Sequence, residues 1–386
     1  MLPILLSILF AISAPLTGAV PAETWGHKVS QVYHTTDKIP LANEGHLQVH
    51  DPNIIFSNEH YYLFKGGLHI PIFKSANMSG PWEKIGTVLD GDSVIDKGNR
   101  SRPWAPTTIE RNGTFYCYYA LSRRGSRNSA IGVATTTALG SAWTDHGLVI
   151  NTGTGAGSDV YPFTITNAID ASFIFDQDSG QAYLNYGSFW HDIWQVPLSD
   201  DLLSVKDAAS PDAVQLTFVP HATTRPEEGS WMSYHDGYYY VWFSHGKCCN
   251  FQEGFPQRGG EYSIRVGRSK NVRGPFADKD NQLLLDGGGT IVYASNHGIV
   301  YAPGGIGVLP GNHSTPDILY FHFLNTSIGF LDTQAQLGYN YLEYKDGWPV
   351  ALGGTDAAAA SSASVSALPR WGFLLAMFGL WLHMWS

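Results

Sequence analysis

Three carboxylates stand at comparable places in a repeating pattern: Asp51, Asp170 and Glu228. Two carboxyl groups on opposite sides of a glycosidic bond can hydrolyse it. One is protonated and donates to the leaving oxygen; the other is ionised and activates water or attacks directly. A third carboxylate nearby raises the acid's pKa by like-charge repulsion and keeps its proton in place. Singly, each has an ordinary explanation. Asp51 precedes Pro52, and Asp before Pro is usually a turn residue. Asp170 can cap the turn that follows it, and Glu227 and Glu228 can be a solvated pair. Only equivalent positions in the repeat lift the three above that. Other chemistries lack their residues: there is no Walker loop, no Gly-x-Ser-x-Gly elbow, no His-Glu-x-x-His and no paired Cys-x-x-Cys. The stretch 153–157 is Gly-rich but lacks the third spacing of a dinucleotide loop.

The elements that must position these acids recur along the chain. Asp51 opens Asp-Pro-Asn-Ile-Ile-Phe, ahead of an aromatic run at 61–64. Trp104 opens Trp-Ala-Pro-Thr-Thr-Ile-Glu ahead of 115–119, and Asp170 opens Asp-Ala-Ser-Phe-Ile-Phe ahead of 182–186. Glu228 opens Glu-Gly-Ser-Trp-Met-Ser-Tyr ahead of 238–243, and His297 opens His-Gly-Ile-Val-Tyr ahead of 318–323. Third strands repeat too, at 70–86, 130–147 and 262–278. A period of roughly 50 to 70 residues with several strands per unit is the signature of propeller blades. The expectation is an all-β, five-bladed β-propeller whose five opening residues converge near one end of the axis. A β-sandwich with turn residues spaced by chance is the competing fold.

Composition agrees with a large β-rich core: 44% of residues are apolar, only 15% are charged, and 42 are glycine. The formal charge of −10, with no Lys/Arg run, argues against a nucleic-acid partner and weakly against a polyanionic substrate. A neutral ligand fits better. Residues 1–22 read as a secretory signal, with an apolar stretch too short to span a bilayer. Residues 353–386 read as an Ala/Ser spacer and apolar tail, the pattern of a GPI-attachment signal, with the attachment residue expected near Ser361 or Ser362. Residues 23–352 are left for the propeller. Five sequons, at Asn77, Asn99, Asn112, Asn312 and Asn325, agree with export. Three cysteines make no disulfide framework; the adjacent Cys248 and Cys249 are either a vicinal disulfide or buried thiols.

Several segments occur in an order that resembles one family. They are His50-Asp51-Pro52, Trp104-Ala105-Pro106, 128–132 (Asn-Ser-Ala-Ile-Gly), Asn167-Ala168-Ile169-Asp170, 186–190 (Tyr-Gly-Ser-Phe-Trp), Glu228-Gly229-Ser230, 287–290 (Gly-Gly-Gly-Thr) and His297-Gly298. The set resembles glycoside hydrolase family 43, and within it the fungal-type endo-1,5-α-L-arabinanases. The likeness runs from about residue 46 to 352. The resemblance implies a five-bladed propeller that cleaves internal α-1,5 bonds of arabinan with inversion. It implies Asp51 as general base, Glu228 as general acid, and Asp170 as the residue that sets the acid's pKa and orients it. It places Trp104, Asn167, Ala168, Ile169, Asp170, Gly187, Ser188 and Phe189 against the sugar. It implies no cofactor for the chemistry, a calcium ion near the axis beside His297, and an arabinan or arabino-oligosaccharide partner. The expected product is a monomer, secreted and held at the cell surface through the lipid anchor. Two positions depart from the family pattern: Ala171 stands where Pro is usual, and Thr107 where Asp is common. An exo-acting arabinofuranosidase or β-xylosidase on the same propeller, a non-catalytic carbohydrate-binding propeller and an adhesion scaffold are the rival readings.

Overall fold

Short aromatic and β-branched runs, each closed by a Gly- or Asn-containing turn, make twenty strands in the computed structural model, which describes residues 38–45, 47–222, 224–311 and 315–353. The leader, the anchor signal with Ser361 and Ser362, and Asn312 lie outside the described residues. Blade one is β1 (Asn53–Ser57), β2 (His60–Phe64), β3 (Pro71–Ser75) and β4 (Glu83–Thr87). Blade two is β5 (Trp104–Arg111), β6 (Thr114–Leu121), β7 (Ala130–Thr136) and β8 (Thr144–Asn151). Blade three is β9 (Ser172–Phe175), β10 (Ala182–Tyr186), β11 (Trp194–Pro197) and β12 (Val214–Gln215). Blade four is β13 (Glu227–His235), β14 (Tyr238–His245), β15 (Ser263–Ser269) and β16 (Thr290–Ala294). Blade five is β17 (Val300–Leu309), β18 (Ile318–Asn325), β19 (Gln336–Lys345) and β20 (Trp348–Ala351). Each blade is a four-stranded antiparallel meander, so the expected five-bladed propeller is the observed fold.

Strands of a propeller bury both faces, and the sequence alternates accordingly. In β6, Cys117, Tyr119 and Leu121 pack toward blade one, while Tyr118 packs toward blade three. In β14, Tyr239, Val241 and Phe243 pack toward blade three, and Tyr240 and Trp242 toward blade five. Ile318 and Tyr320 of β18 meet Ile54 and Leu63 of blade one. Five apolar clusters thus fill the five gaps between neighbouring blades, and together they are the core.

The ring closes on β19. Residues ahead of β1 run along it: Leu41 N–H donates to Tyr339 O (2.9 Å), Leu337 N–H to Leu47 O (3.2 Å) and Val49 N–H to Ala335 O (2.8 Å). The Asn340 amide donates to Ile39 O at 3.2 Å and to Leu352 O at 2.8 Å, tying both ends of the described chain to one strand. That closure fixes Asp51, which follows this segment, relative to blade five.

Candidate active site

Each inner strand carries a residue in the left-handed region, at or near its start in four blades and inside β17 in the fifth: Asp51 (φ 49°), Ala105 (φ 38°), Asp170 (φ 57°), Gly229 (φ 58°) and Gly305 (φ 58°). All five line one axial cavity of about 340 Å³ that opens to solvent. Aspartate and glycine are the residues that take this conformation at least cost, which is one reason the acids sit at these turns. The register of the repeat therefore differs from the sequence expectation in three blades. Ala105 and Gly229, not Trp104 and Glu228, are the equivalents of Asp51 and Asp170. In blade five the equivalent is Gly305, eight positions beyond His297. A side chain at Gly305 would run into Asp51 Oδ1 and His322 Nδ1, so glycine is what lets the base and the histidine meet there.

Hydrogen bonds stitch neighbouring blades around this axis. Thr108 N–H donates to Asn53 Oδ1 (2.8 Å), the Thr107 hydroxyl to Ala171 O (2.6 Å), Gly229 N–H to Asp170 Oδ2 (3.1 Å) and Gly305 N–H to Ser244 Oγ (2.9 Å). Asp51 N–H closes the circuit by donating to His322 Nδ1 at 3.2 Å. The two departures from the family pattern, Thr107 and Ala171, are partners in one of these bonds.

Asp51 lies between two imidazoles. His50 Nδ1 is 3.0 Å from Asp51 Oδ2, and His322 Nδ1 is 3.3 Å from Oδ1. The two rings stack with centroids 4.0 Å apart. Burial alone would raise the Asp51 pKa; the His50 charge and the hydrogen bond from His50 outweigh it and hold the carboxyl far below its usual range. Burial pulls His50 down, but Asp51 beside it leaves its pKa raised. Burial and the neighbouring His50 pull His322 down to about 4, in keeping with an Nδ1 that accepts from the Asp51 N–H.

Glu228 sits among hydroxyls and is nearly buried, at 8% exposure. The Ser188 hydroxyl donates to Oε2 at 2.5 Å, and the Tyr262 hydroxyl donates to Oε1 in a very short contact. Burial raises its pKa; the two hydroxyls oppose this, Asp51 adds to it, and the net shift is upward. Asp170 is pushed well above the usual range by burial first, then by the charges of Glu228 and Asp51, against the Gly229 N–H. Of the three acids, Asp51 alone is shifted toward the ionised form; Glu228 and Asp170 are shifted toward the protonated one. The arrangement offers a base, a proton donor and a third acid at one cleft.

The other expected residues separate into two groups. Trp104 and Phe189 are half-buried, and Phe189 N–H donates to Glu227 O at 3.1 Å. Asn167, Ala168 and Ile169 are buried beneath the cleft: Asn167 Oδ1 accepts from Ser129 Oγ (2.7 Å), Ala168 N–H donates to Thr152 Oγ1 (3.1 Å), and Gly187 N–H donates to Ile169 O (3.0 Å). They hold the turn that presents Asp170. A side chain at Gly187 would collide with Asp192 O, so glycine there lets this loop close and place Ser188 on Glu228. Glu227, beside the acid, is fully buried and faces away, 3.2 Å from His245 Nδ1, with its pKa raised to about 7 by burial.

His50, His322 and Tyr262 belong to the centre without having been singled out as site residues. His322 is the one imidazole in the largely apolar run of β18, the one sign it gave. His297 does not line the axial cavity. Its Nε2 lies 3.1 Å from Glu261 Oε1 and its ring is near Tyr301. Among the described residues the one grouping of three candidate ligands is His50, Asp51 and His322, where Asp51 already bonds both histidines. Cys248 and Cys249 are joined as a vicinal disulfide, and Cys117 is a buried thiol in β6. Asn77, Asn99 and Asn112 are exposed, and Asn325 is half-buried at the end of β18.

Comparison with known proteins agrees with this geometry. A curated relative from Emericella nidulans, a probable arabinan endo-1,5-alpha-L-arabinosidase D, is 57% identical over 317 residues, covering 82% of this chain and 83% of its own. The solved Cellvibrio cellulosa alpha-L-arabinanase superposes with a TM-score of 0.69 at 25% identity, covering 81% of this chain and 98% of its own. An exo-1,5-alpha-L-arabinanase from a bovine ruminal metagenomic library gives 0.67 at 26% identity, over 80% and 97%. The sequence profile of the glycosyl hydrolases family 43 matches residues 45–349, all five blades with the three acids in their cleft, and this chain belongs to that family.

Proposed function

We propose that this protein hydrolyses internal α-1,5-L-arabinofuranosidic bonds of arabinan, as found in pectin side chains, with inversion. The observation that carries the reading is the contrast at one cleft: Asp51 sits between two imidazoles, 3.0 Å and 3.3 Å away, while Glu228 accepts from the Ser188 and Tyr262 hydroxyls, and the first carboxyl is shifted down and the second up. Asp51 takes a proton from a water as that water attacks the anomeric carbon. Glu228 gives its proton to the glycosidic oxygen as the bond to it breaks. Asp170 accepts from the Gly229 N–H beside the acid, which places it to orient Glu228. Proton transfer between carboxyls and water needs no cofactor. The names of the close relatives support arabinan as substrate.

The test is the purified protein on debranched arabinan, with products sized over time. Oligosaccharides early in digestion are the expected result; no hydrolysis would overturn the reading. An exo mode is the second reading, favoured by the likeness to the exo-acting neighbour, and monosaccharide alone from the first minutes would establish it. Export and a lipid anchor complete the proposal, resting on the two terminal segments. Release from cells by a phosphatidylinositol-specific phospholipase is expected, and retention after anchor hydrolysis would count against it.

A further inference from the structure

The loop joining β14 to β15, residues 246–262, is longer than its counterparts 65–70, 122–129, 187–193 and 326–335. It leaves blade four and touches three other blades. Asn250 N–H donates to Asp332 Oδ1 of blade five at 2.8 Å. Cys249 Sγ lies 3.7 Å from His50 Nε2, on the residue that flanks Asp51. Glu253 then pairs with Arg124 of blade two, both guanidinium nitrogens reaching both carboxylate oxygens at 2.7 Å. Blades two and four are not neighbours in the ring, so this fork-to-fork contact spans the cleft face. None of these three anchors is on blade three, which carries Asp170 and the Ser188 loop.

The loop has its own packing. Phe251 is 1% exposed and meets Tyr301 edge-on at 5.0 Å. Phe255 packs on Phe251, Tyr301 and Phe330. Phe251 and Tyr301 form a sixth apolar cluster with Tyr262, Ala302, Leu324 and Ala335, separate from the five between blades, and Phe330 packs against it. Lys247 Nζ donates to Gly254 O at 2.6 Å and ties the two limbs together. The same loop ends at Tyr262, whose hydroxyl bonds Glu228. One segment therefore touches the surroundings of both the base and the acid.

Resting on the activity proposed above, we infer that residues 246–262 form a strap across the cleft on the side of blades five, one and two, and that the Arg124–Glu253 pair sets how far an arabinan chain extends past the catalytic acids on that side. A polymer bound across the face must pass beside or beneath this bridge. A short oligosaccharide occupies only the centre and does not meet it. The pair decides between a walled and an open end of the cleft, and so between short and long bound segments.

Both charged side chains are largely exposed, 62% and 55%, so breaking the pair leaves the fold in place. The experiment measures the rate on linear debranched arabinan relative to arabinotriose, with early products sized, for wild type, Arg124→Glu, Glu253→Arg and the double swap. Each single variant is expected to raise the polymer-to-trimer ratio about two- to fivefold, as the loss of one exposed ion pair allows, and to lengthen the early products. The double swap restores the pair and should return both readouts to wild type. Unchanged ratios and products in both single variants, with active wild type, overturn the strap alone. Wild-type protein inert on both substrates overturns the proposed activity and the strap's role in it together.

Discussion

Around Asp51 the neighbours are imidazoles; around Glu228 they are hydroxyls. Both carboxyls sit at the same cleft and both are raised by burial. Both also accept hydrogen bonds, which favour the ionised form. What differs is charge. An imidazole can become a cation, and His50 does so more readily because Asp51 is there. A serine or a tyrosine cannot, and Tyr262 has its own pKa driven well upward by burial and by Glu228. The opposite pKa shifts of the two are thus set by what stands beside each carboxyl, not by the carboxyls themselves. Asp170 completes the contrast: with one backbone N–H and two acids as neighbours, it is pushed up further still.

The largest effects should come from removing either carboxyl. Asp51→Asn and Glu228→Gln are each expected to slow hydrolysis of linear arabinan by roughly 10²–10⁴-fold with an unchanged circular dichroism spectrum. An aryl arabinofuranoside with a good leaving group separates the two. It departs without a proton, so Glu228→Gln should regain much of its rate on it. Asp51→Asn should not, because the water still lacks its base. Equal recovery in both variants would break the distinction between the two halves.

The ring itself was legible because its strands repeat a visible alternation, as in Thr114–Leu121 and Tyr238–His245, where odd and even residues serve different gaps. The three acids were legible because they recur within that repeat. Its register was not, since the shared feature of the five openings is a positive φ. No residue type marks that: aspartate, alanine and glycine all supply it here. The sequence pattern points to Trp104, Glu228 and His297 as openings, where Ala105, Gly229 and Gly305 hold that place. The partners of Asp51 were hidden for a different reason. His322 reaches it only through closure of the ring, and pairing across that distance leaves no local pattern. Tyr262 is one of 20 tyrosines, most of them ordinary strand residues, and nothing nearby in sequence ties it to Glu228. Glu227 and Glu228 looked like a solvated pair because alternation in β13 puts them on opposite faces, and only the fold shows that both faces are covered.

Smaller changes at the neighbours should move the pH profile from opposite ends. In the proposed mechanism activity requires Asp51 ionised and Glu228 protonated, so the acidic limb follows Asp51 and the alkaline limb follows Glu228. His50→Gln removes the main charge that holds the Asp51 pKa down; the pKa rises, and the acidic limb of kcat/KM moves to higher pH. Tyr262→Phe removes a hydrogen bond that favours ionised Glu228; its pKa rises further, and the alkaline limb also moves to higher pH. The first variant therefore narrows the active range and the second widens it, although both raise a carboxyl's pKa. Tyr262 is the milder case, because Ser188 still donates to the same carboxylate. The His50 charge also bears weakly on Glu228, so a smaller upward move of the alkaline limb accompanies His50→Gln. An equal shift of both limbs by either single change would mean that the two carboxyls titrate as one unit, and the separate environments drawn above would not be what divides their roles.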